Sequence, residues 1–324
     1  MSKQPELLDL VIIGAAAAGS TAAIYAARRN LNFVVVSKDI GGEVALSGEV
    51  ENWPGIIHTT GFELAQDFHK HAKSYDVQID EGFGVAEIKQ EKNYHIVLAE
   101  NSIGKKKEYQ TKSVIIASGI HPRKLSIQGE NELKGKGVTY CTVCDGPLFK
   151  GKTTATIGAG NSAVESTLMM AGIASKVYLV TKYPDTKETK GGLPKAEDIL
   201  VKKLKSLDNV EIIYNANITE IVGDNFVSGF KYEDSDSKEI KELPIDGVMV
   251  HIGMIPNSNF VECAEKNNAK EIKIDFICQT SCPGIFAAGD VTNIPYKQIS
   301  IATGQGATAA LSVINYLNRW EPES

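Results

Sequence analysis

Cys141 and Cys144 lie in the run Cys141-Thr142-Val143-Cys144-Asp145-Gly146. This spacing lets two sulfurs bond across a tight turn and can depress the pKa of the first thiol. Three readings fit the pair. It is a dithiol/disulfide redox centre, half of a zinc site completed by Cys278 and Cys282, or two unrelated buried thiols. Asp145 favours the redox reading, because a carboxylate beside the second sulfur can take or give the proton that thiol chemistry moves. A zinc site gains little from it. Cys263 reads as a small buried hydrophobe in a helix-like stretch. His69 and His71 fall on different faces of a helix, and His121 and His251 carry no assigned role. No metal site is expected.

Two turns could cradle phosphate. Gly158-Ala159-Gly160-Asn161-Ser162-Ala163 joins an apolar run, 154–157, to a helix-like run, 164–171. Gly158 permits the tight turn, Gly160 lets the backbone approach a pyrophosphate, and Ala163 allows close helix–strand packing. The helix N-terminus adds free N–H groups and a positive dipole end. The bland alternative is a strand–helix turn that binds nothing. Gly14-Ala15-Ala16-Ala17-Ala18-Gly19, between 10–13 and 20–29, is a weaker match. Ala16 stands where the fingerprint has its middle glycine, so its Cβ should press on a phosphate or shift the loop. The next strand, 33–36, ends at Ser37-Lys38, so an acid for a ribose hydroxyl is missing.

These turns need elements to hold them. Each is followed by a second apolar run, 33–36 and 177–180, which makes two β-α-β units about 144 residues apart. That implies two nucleotide-binding domains. Further strands are expected at 114–117, ending at Ser118-Gly119, at 248–250 and at 284–290. A charged hairpin-like stretch is expected at 231–242, and an alanine-rich helix at 304–317. A length of 324 residues suits two cores. The chain is 43% hydrophobic and 23% charged, which describes a soluble globular protein. The net charge of −6, without a basic stripe, points away from nucleic acid. Lys105, Lys106 and Lys107 are flanked by Glu100 and Glu108 and read as a solvated turn. No apolar run approaches about 18 residues, so no membrane span is expected. Residues 1–9 lack a signal-peptide pattern. An odd count of five cysteines does not make a secreted disulfide framework, so a cytoplasmic location is expected.

Taken together, these residues resemble the low-molecular-weight thioredoxin reductases and the reductase half of the flavoprotein component of alkyl hydroperoxide reductase. The resemblance runs nearly end to end. It is carried by the first glycine turn, Gly41-Gly42-Glu43, Glu51-Asn52-Trp53-Pro54-Gly55, Ala117-Ser118-Gly119, 140–146 and 158–165. It continues through Ile252-Gly253-Met254-Ile255-Pro256-Asn257, 284–290 and Tyr296-Lys297-Gln298. Segments 144–152 and 295–304 look most like the peroxide-reductase flavoprotein. That relative carries extra N-terminal thioredoxin-like domains. Because this chain begins at the flavin domain, its electrons are expected to leave to a separate protein.

The resemblance implies an α/β fold of two Rossmann-like domains, with the NAD(P)-binding one (120–250) inserted into the FAD-binding one (1–119 and 251–324). It assigns FAD to Gly14, Ala15, Ala16, Ala17, Ala18, Gly19, Lys38, Glu43, Asn52, Val85, Ala117, Gly119, Gly289, Asp290, Lys297, Gln298 and Ile299. Asp290 would accept from a ribitol hydroxyl, and the helix after Gly304 would point its positive end at the flavin ring. The nicotinamide cofactor is assigned to Gly158, Gly160, Asn161, Ser162, Ala163, Glu165, Thr181, Lys182, Lys187 and Gly253. Hydride would pass to FAD, and reduced flavin would open the Cys141–Cys144 disulfide. By the same resemblance Cys144 faces the flavin, Cys141 attacks a partner disulfide and Asp145 manages the proton. The implied partner is thioredoxin or a thioredoxin- or glutaredoxin-like protein, and the implied assembly is a homodimer. A hinge near Gly119–His121 and Val250–Gly253 would let the domains rotate between half-reactions.

Several positions depart from the pattern. Glu43 replaces Gln and Ala16 replaces Gly. The family's NADPH clamp of arginines is replaced by Lys182 and Lys187, and lysine lacks the bidentate fork that suits phosphate. No acid at Thr181 repels a 2′-phosphate. NADPH is the expected donor, with dual use or a different donor left open. The rival readings are a reductase of a peroxide pathway and a nucleotide- or zinc-binding regulator without turnover.

Overall fold

The run Leu10-Val11-Ile12-Ile13 carries no polar face, and it forms a strand buried on both sides, as parallel strands under two layers must be. The computed structural model describes residues 7–47 and 49–321; the reading of residues 1–6 lies outside them. The chain divides into two units. One comprises the residues up to His121 together with those from Ile255 onward, and the other is Pro122–Met254.

In the first unit, Leu7–Ala15 runs parallel to Phe33–Ile40 on one side and to Lys106–Ile116 on the other. Ile79–Glu81 extends one edge and Ile285–Ala287 pairs with Lys106–Ile116. An antiparallel hairpin, Phe83–Gln90 and His95–Asn101, continues the sheet from Lys106–Ile116. Helices Ala17–Ala27 and Ile299–Leu317 share one apolar cluster, in which Ala22, Ala26, Ala309 and Ala310 are all buried. Their small side chains let two helix backbones approach. Helix Gly61–Lys73 starts at a capping box between Thr60 and Glu63.

The second unit has a parallel sheet in the order Val138–Thr139, Gly247–Val250, Thr153–Ile157, Lys176–Val180, Val210–Ile213. A separate antiparallel sheet is made of Ala216–Gly223, Val227–Asp234 and Ile240–Pro244, so the charged stretch is a hairpin as expected. Helix Asn161–Ala171 crosses from Thr153–Ile157 to Lys176–Val180.

Three expectations are corrected. Phe33–Ile40 continues past Val36, so an acid, Asp39, lies inside that strand. Its carboxylate accepts from Gly42 N at 3.1 Å. The last helix begins at Ile299, not after Gly304. Lys106 and Lys107 open a strand, with Lys107 paired to Asp80 at 2.8 Å. No described helix is long and apolar enough to cross a membrane.

Candidate active site

Cys141 and Cys144 are joined as a disulfide. Cys141 is the N-cap of the short helix Thr142–Asp145, and its carbonyl accepts from Cys144 N at 3.2 Å and Asp145 N at 3.1 Å. Both cysteines are partly exposed, Val143 between them is exposed and Thr142 is buried. Thr139 fixes the surroundings. Its hydroxyl donates to the Asp145 carboxylate and accepts from Cys141 N at 3.1 Å. The carboxylate beside the second sulfur is thereby oriented from the residue two before the first. Tyr140 is held in turn by Glu130, a fully buried carboxylate that accepts from Tyr140 Oη, Leu125 N and Ser126 N. Beneath the pair, Thr142 Oγ1 lies 2.6 Å from Ser166 Oγ and 2.8 Å from His251 Nε2. Burial pushes the His251 imidazole down to about 4, so it is neutral near pH 7.

The Gly158 turn lies in the same unit. Gly158 has φ +153, and a Cβ there would meet His251 O at 2.3 Å and the Ala163 methyl at 2.7 Å. Gly160 is the N-cap of helix Asn161–Ala171 and makes no side-chain cap. A Cβ on Gly160 would find nothing nearer than Lys195 Cβ at 3.8 Å, and the Gly160 backbone forms an isolated β-bridge with Lys195. Asn161 is tied to Glu197 by two bonds, Nδ2 to Oε1 at 2.9 Å and Glu197 N to Oδ1 at 2.8 Å. Ser162 and Glu165 are exposed and Ala163 is buried. Thr181 is buried, and its hydroxyl donates to Gly192 O at 2.8 Å. Lys182 and Lys187 are exposed, with Lys182 Nζ 5.5 Å above the Tyr183 ring. Gly253 has φ +117 with open space around it.

In the first unit, the Gly14 turn is packed backbone on backbone. A Cβ on Gly14 (φ +107) would meet Ala117 O at 2.3 Å, and one on Gly19 would meet Gly14 O at 1.9 Å. Ala117 N donates to Ile13 O at 2.8 Å. Ala16 is the N-cap of Ala17–Ala27 in an extended conformation open to any residue. Its methyl lies against Gly42, where an added Cβ would come to 3.4 Å. Asn52 Nδ2 donates to Gln298 Oε1 at 3.3 Å, which joins two assigned residues 246 positions apart. Gln298 is the N-cap of Ile299–Leu317. The helices starting at Ala17, Asn161 and Ile299 all lack side-chain caps, whereas Gly61–Lys73 has a complete one. Asp198–Leu204 also lacks a cap, so the missing caps do not by themselves mark a site; the uncapped amides at Ala17, Asn161 and Ile299 are free to meet phosphate or another electron-rich group.

Asp290 follows Gly289 in a short turn, and burial pushes its carboxyl up to about 6, with Lys297 opposing and Glu43 adding to the shift. Lys297 itself donates to Thr292 O at 2.6 Å and pairs with Glu271 at 2.9 Å. Glu43 sits in the first turn of Gly42–Ala45, and Lys38 is exposed. Val85 pairs with Ala99 beside a bulge, and Gly119 has φ +67.

Residues not singled out from the sequence complete these sites. Gln305 Oε1 accepts from Gly289 N at 2.8 Å. Asn257 brackets the strand end, with Nδ2 donating to Ser118 O at 2.8 Å and its carbonyl accepting from Ser118 Oγ at 2.6 Å. Asn257 ends one of the segments that carry the resemblance; Gln305 has only its place in an alanine-rich helix to mark it. Cys263 needs correction. It is exposed, lies outside any helix and is joined to Cys282, so a zinc site drawing on Cys282 is not formed. Cys278 is a free buried thiol, pushed up to about 11 by burial.

The family model for pyridine nucleotide-disulphide oxidoreductases matches residues 8–306. An alkyl hydroperoxide reductase subunit of Escherichia coli (strain K12) is 40% identical over 96% of this chain. A protein named NADH dehydrogenase from Bacillus subtilis (strain 168) is 38% identical over 97% of it. The chain spans 58% and 59% of the length of these two relatives. The crystal structure of thioredoxin reductase from Streptococcus pyogenes MGAS5005 superposes with a TM-score of 0.89 at 33% identity, covering 98% of this chain and all of that one.

Proposed function

Because the chain belongs to the pyridine nucleotide-disulphide oxidoreductase family, we propose that it passes electrons from a reduced nicotinamide through FAD to Cys141–Cys144 and on to a disulfide of a thioredoxin- or glutaredoxin-like protein. The observation that carries this reading is the partly exposed Cys141–Cys144 disulfide, with Asp145 oriented by Thr139, in the unit that also holds the Gly158 turn.

FAD bound to this chain would supply a two-electron relay between hydride and disulfide. The Gly14–Gly19 turn would hold the FAD pyrophosphate on its amides, and Asp290 would accept from a ribitol hydroxyl. In the second unit, Gly158 and Gly160 would let the backbone hold the nicotinamide cofactor's pyrophosphate. Asp145 takes and returns the proton at the neighbouring sulfur. Once the pair is reduced, the Cys141 thiolate attacks the partner disulfide and expels one partner thiolate. Cys144 then displaces the second, which restores the Cys141–Cys144 bond and leaves the partner as a dithiol. The 40% identity to an alkyl hydroperoxide reductase subunit supports a second reading, in which the reduced partner feeds a peroxide-reducing protein. A homodimer is part of the proposal.

Two observations bear on the donor. Thr181 turns its hydroxyl inward, which leaves Lys182 and Lys187 to meet a 2′-phosphate and supports NADPH. A relative named NADH dehydrogenase supports NADH. Anaerobic titration of the yellow protein with NADPH, with NADH and with neither identifies the donor by bleaching of the flavin band. The Cys144→Ser variant should bleach equally well yet leave a thioredoxin-like disulfide intact. A colourless protein that takes up no FAD, or full turnover by Cys144→Ser, refutes the assignment.

A further inference from the structure

Four polar side chains lie beneath the redox turn, and the proposed reaction uses none of them. Thr142 stands between the two cysteines, but its side chain points inward and is buried. Its hydroxyl lies 2.8 Å from His251 Nε2 and 2.6 Å from Ser166 Oγ, and Ser166 Oγ lies 3.5 Å from Thr156 Oγ1. Ser166 belongs to helix Asn161–Ala171, Thr156 to strand Thr153–Ile157, and His251 directly follows strand Gly247–Val250. The redox turn is therefore tied to three separate elements of its own unit.

Proton counting gives the chain a consistent direction. A hydroxyl donates once and accepts up to twice, and a neutral imidazole offers one donor and one acceptor. Thr142 can donate to His251 Nε2 while it accepts from Ser166, and Ser166 can accept in turn from Thr156. His251 is itself immobilised. Its N donates to Ile157 O at 2.8 Å, and its carbonyl lies where a Cβ on Gly158 would collide. The imidazole thus projects from a fixed backbone under the dinucleotide turn to a fixed hydroxyl under the redox turn.

We propose that His251 is a positioning residue of the redox centre, which through Thr142 holds the Cys141–Cys144 turn closed when the two sulfurs are not bonded and so favours the disulfide over the dithiol. The inference rests on the redox reading of the pair. In the disulfide, a covalent ring already fixes the turn, and the Thr142 bonds add little restraint. In the dithiol, only hydrogen bonds keep the thiols near each other, so those bonds set the effective concentration of one sulfur at the other. Their loss frees the dithiol more than the disulfide. One such bond is worth about a two- to tenfold change in an equilibrium constant.

The test is a thiol–disulfide equilibrium of the purified flavoprotein with glutathione. In it two glutathione thiols reduce the Cys141–Cys144 disulfide, giving the dithiol and one glutathione disulfide. Trapping with an alkylating agent measures the ratio. His251→Ala and Thr142→Val should each shift the ratio toward the dithiol by about two- to tenfold. The double variant should shift it no further than Thr142→Val alone, because that substitution already removes the link to His251 along with the bond to Ser166. His251→Gln, whose terminal amide reaches about as far as Nε2, should restore most of the wild-type ratio. If His251→Ala does not fold, His251→Gln and Thr142→Val still give the comparison. A ratio unmoved in Thr142→Val, a shift toward the disulfide, or single effects that multiply in the double variant overturns the proposal. A wild-type pair that never exchanges with glutathione overturns the redox reading and this inference with it.

Discussion

Gly306 lies inside helix Ile299–Leu317, facing the first turn of helix Ala17–Ala27. A Cβ at Gly306 would stand 2.2 Å from Ala18 O and 3.0 Å from Ala18 Cα. Both contacts are with backbone, so no side chain can swing aside, and the helices must separate by more than about 1 Å to reach ordinary van der Waals distance. Overpacking of this kind costs about 1–3 kcal/mol. Alanine in place of glycine gains about 1 kcal/mol of helix propensity, so Gly306→Ala should lose up to about 2 kcal/mol net. Gly304, two positions earlier in the same helix, has open space at its Cβ. Gly304→Ala should therefore gain about 0.5–1 kcal/mol. Ala18 belongs to the turn assigned to the FAD pyrophosphate, so Gly306→Ala should also release flavin more readily. Denaturant unfolding and flavin absorbance per chain, measured on both variants, test this. If Gly306→Ala is as stable as Gly304→Ala and keeps its flavin, the close packing of these helices is wrong.

Two buried groups should give stability opposite dependences on pH. The Asp290 carboxyl is raised to about 6, chiefly by burial. Keeping it ionised in the folded flavin-free protein therefore costs stability, a penalty absent below about pH 4 and complete above 6, about 3 kcal/mol in size. Asp290→Asn should stabilise the flavin-free protein at pH 8 and weaken FAD binding; a variant with unchanged pH 8 stability and unchanged affinity would contradict this. His95 is lowered to about 4 by burial, against the Pro283 carbonyl. Its contribution is full above about pH 6.5 and is lost as pH falls to 4, by about 3 kcal/mol, so His95→Gln should flatten that slope in urea unfolding. The Cys263–Cys282 bridge closes a loop with a sequence separation of 19. Cys263→Ser should cost about 3 kcal/mol in oxidising buffer and nothing further in reductant; equal loss in both buffers would show the bridge is not formed.

Local requirements are legible in the sequence, and partnerships between distant segments are not. Gly158 can be read because its turn demands a residue without Cβ, whatever the rest of the chain does. Gly304 and Gly306 mislead for a related reason. Glycines near a helix start read as its boundary, and Gln298 is a weak N-cap signal, so the pattern hides the first turn at Ile299. What admits Gly306 to the helix interior is Ala18, nearly three hundred positions away, and no periodicity shows that. Asp39 escapes the sequence reading because Ser37-Lys38 looks like a strand end, although the strand runs on to Ile40. The pairing of Cys263 with Cys282, and the bond between Thr142 and His251 across 109 positions, arise from tertiary packing. A lone Cys and a lone His carry no signal of either.

The donor end of the proposed pathway follows a different logic from the disulfide end. At Cys141–Cys144, position does the selecting, because covalent exchange needs sulfurs in line and Thr139, Asp145 and Thr142 are each fixed by a named bond. At the 2′-position of a nicotinamide cofactor held as proposed, charge would do the selecting. Lys182 and Lys187 are solvent-exposed, and exposed ionic contacts are worth about 0–1 kcal/mol each. Two of them separate NADPH from NADH by at most about thirtyfold. Thr181 is turned inward and no carboxylate stands at its position, so that residue neither repels a 2′-phosphate nor binds a 2′-hydroxyl. Under the proposed assignment, any NADPH advantage should shrink as salt screens the lysines, read as the ratio of anaerobic flavin-bleaching rates with NADPH and NADH at low and high ionic strength.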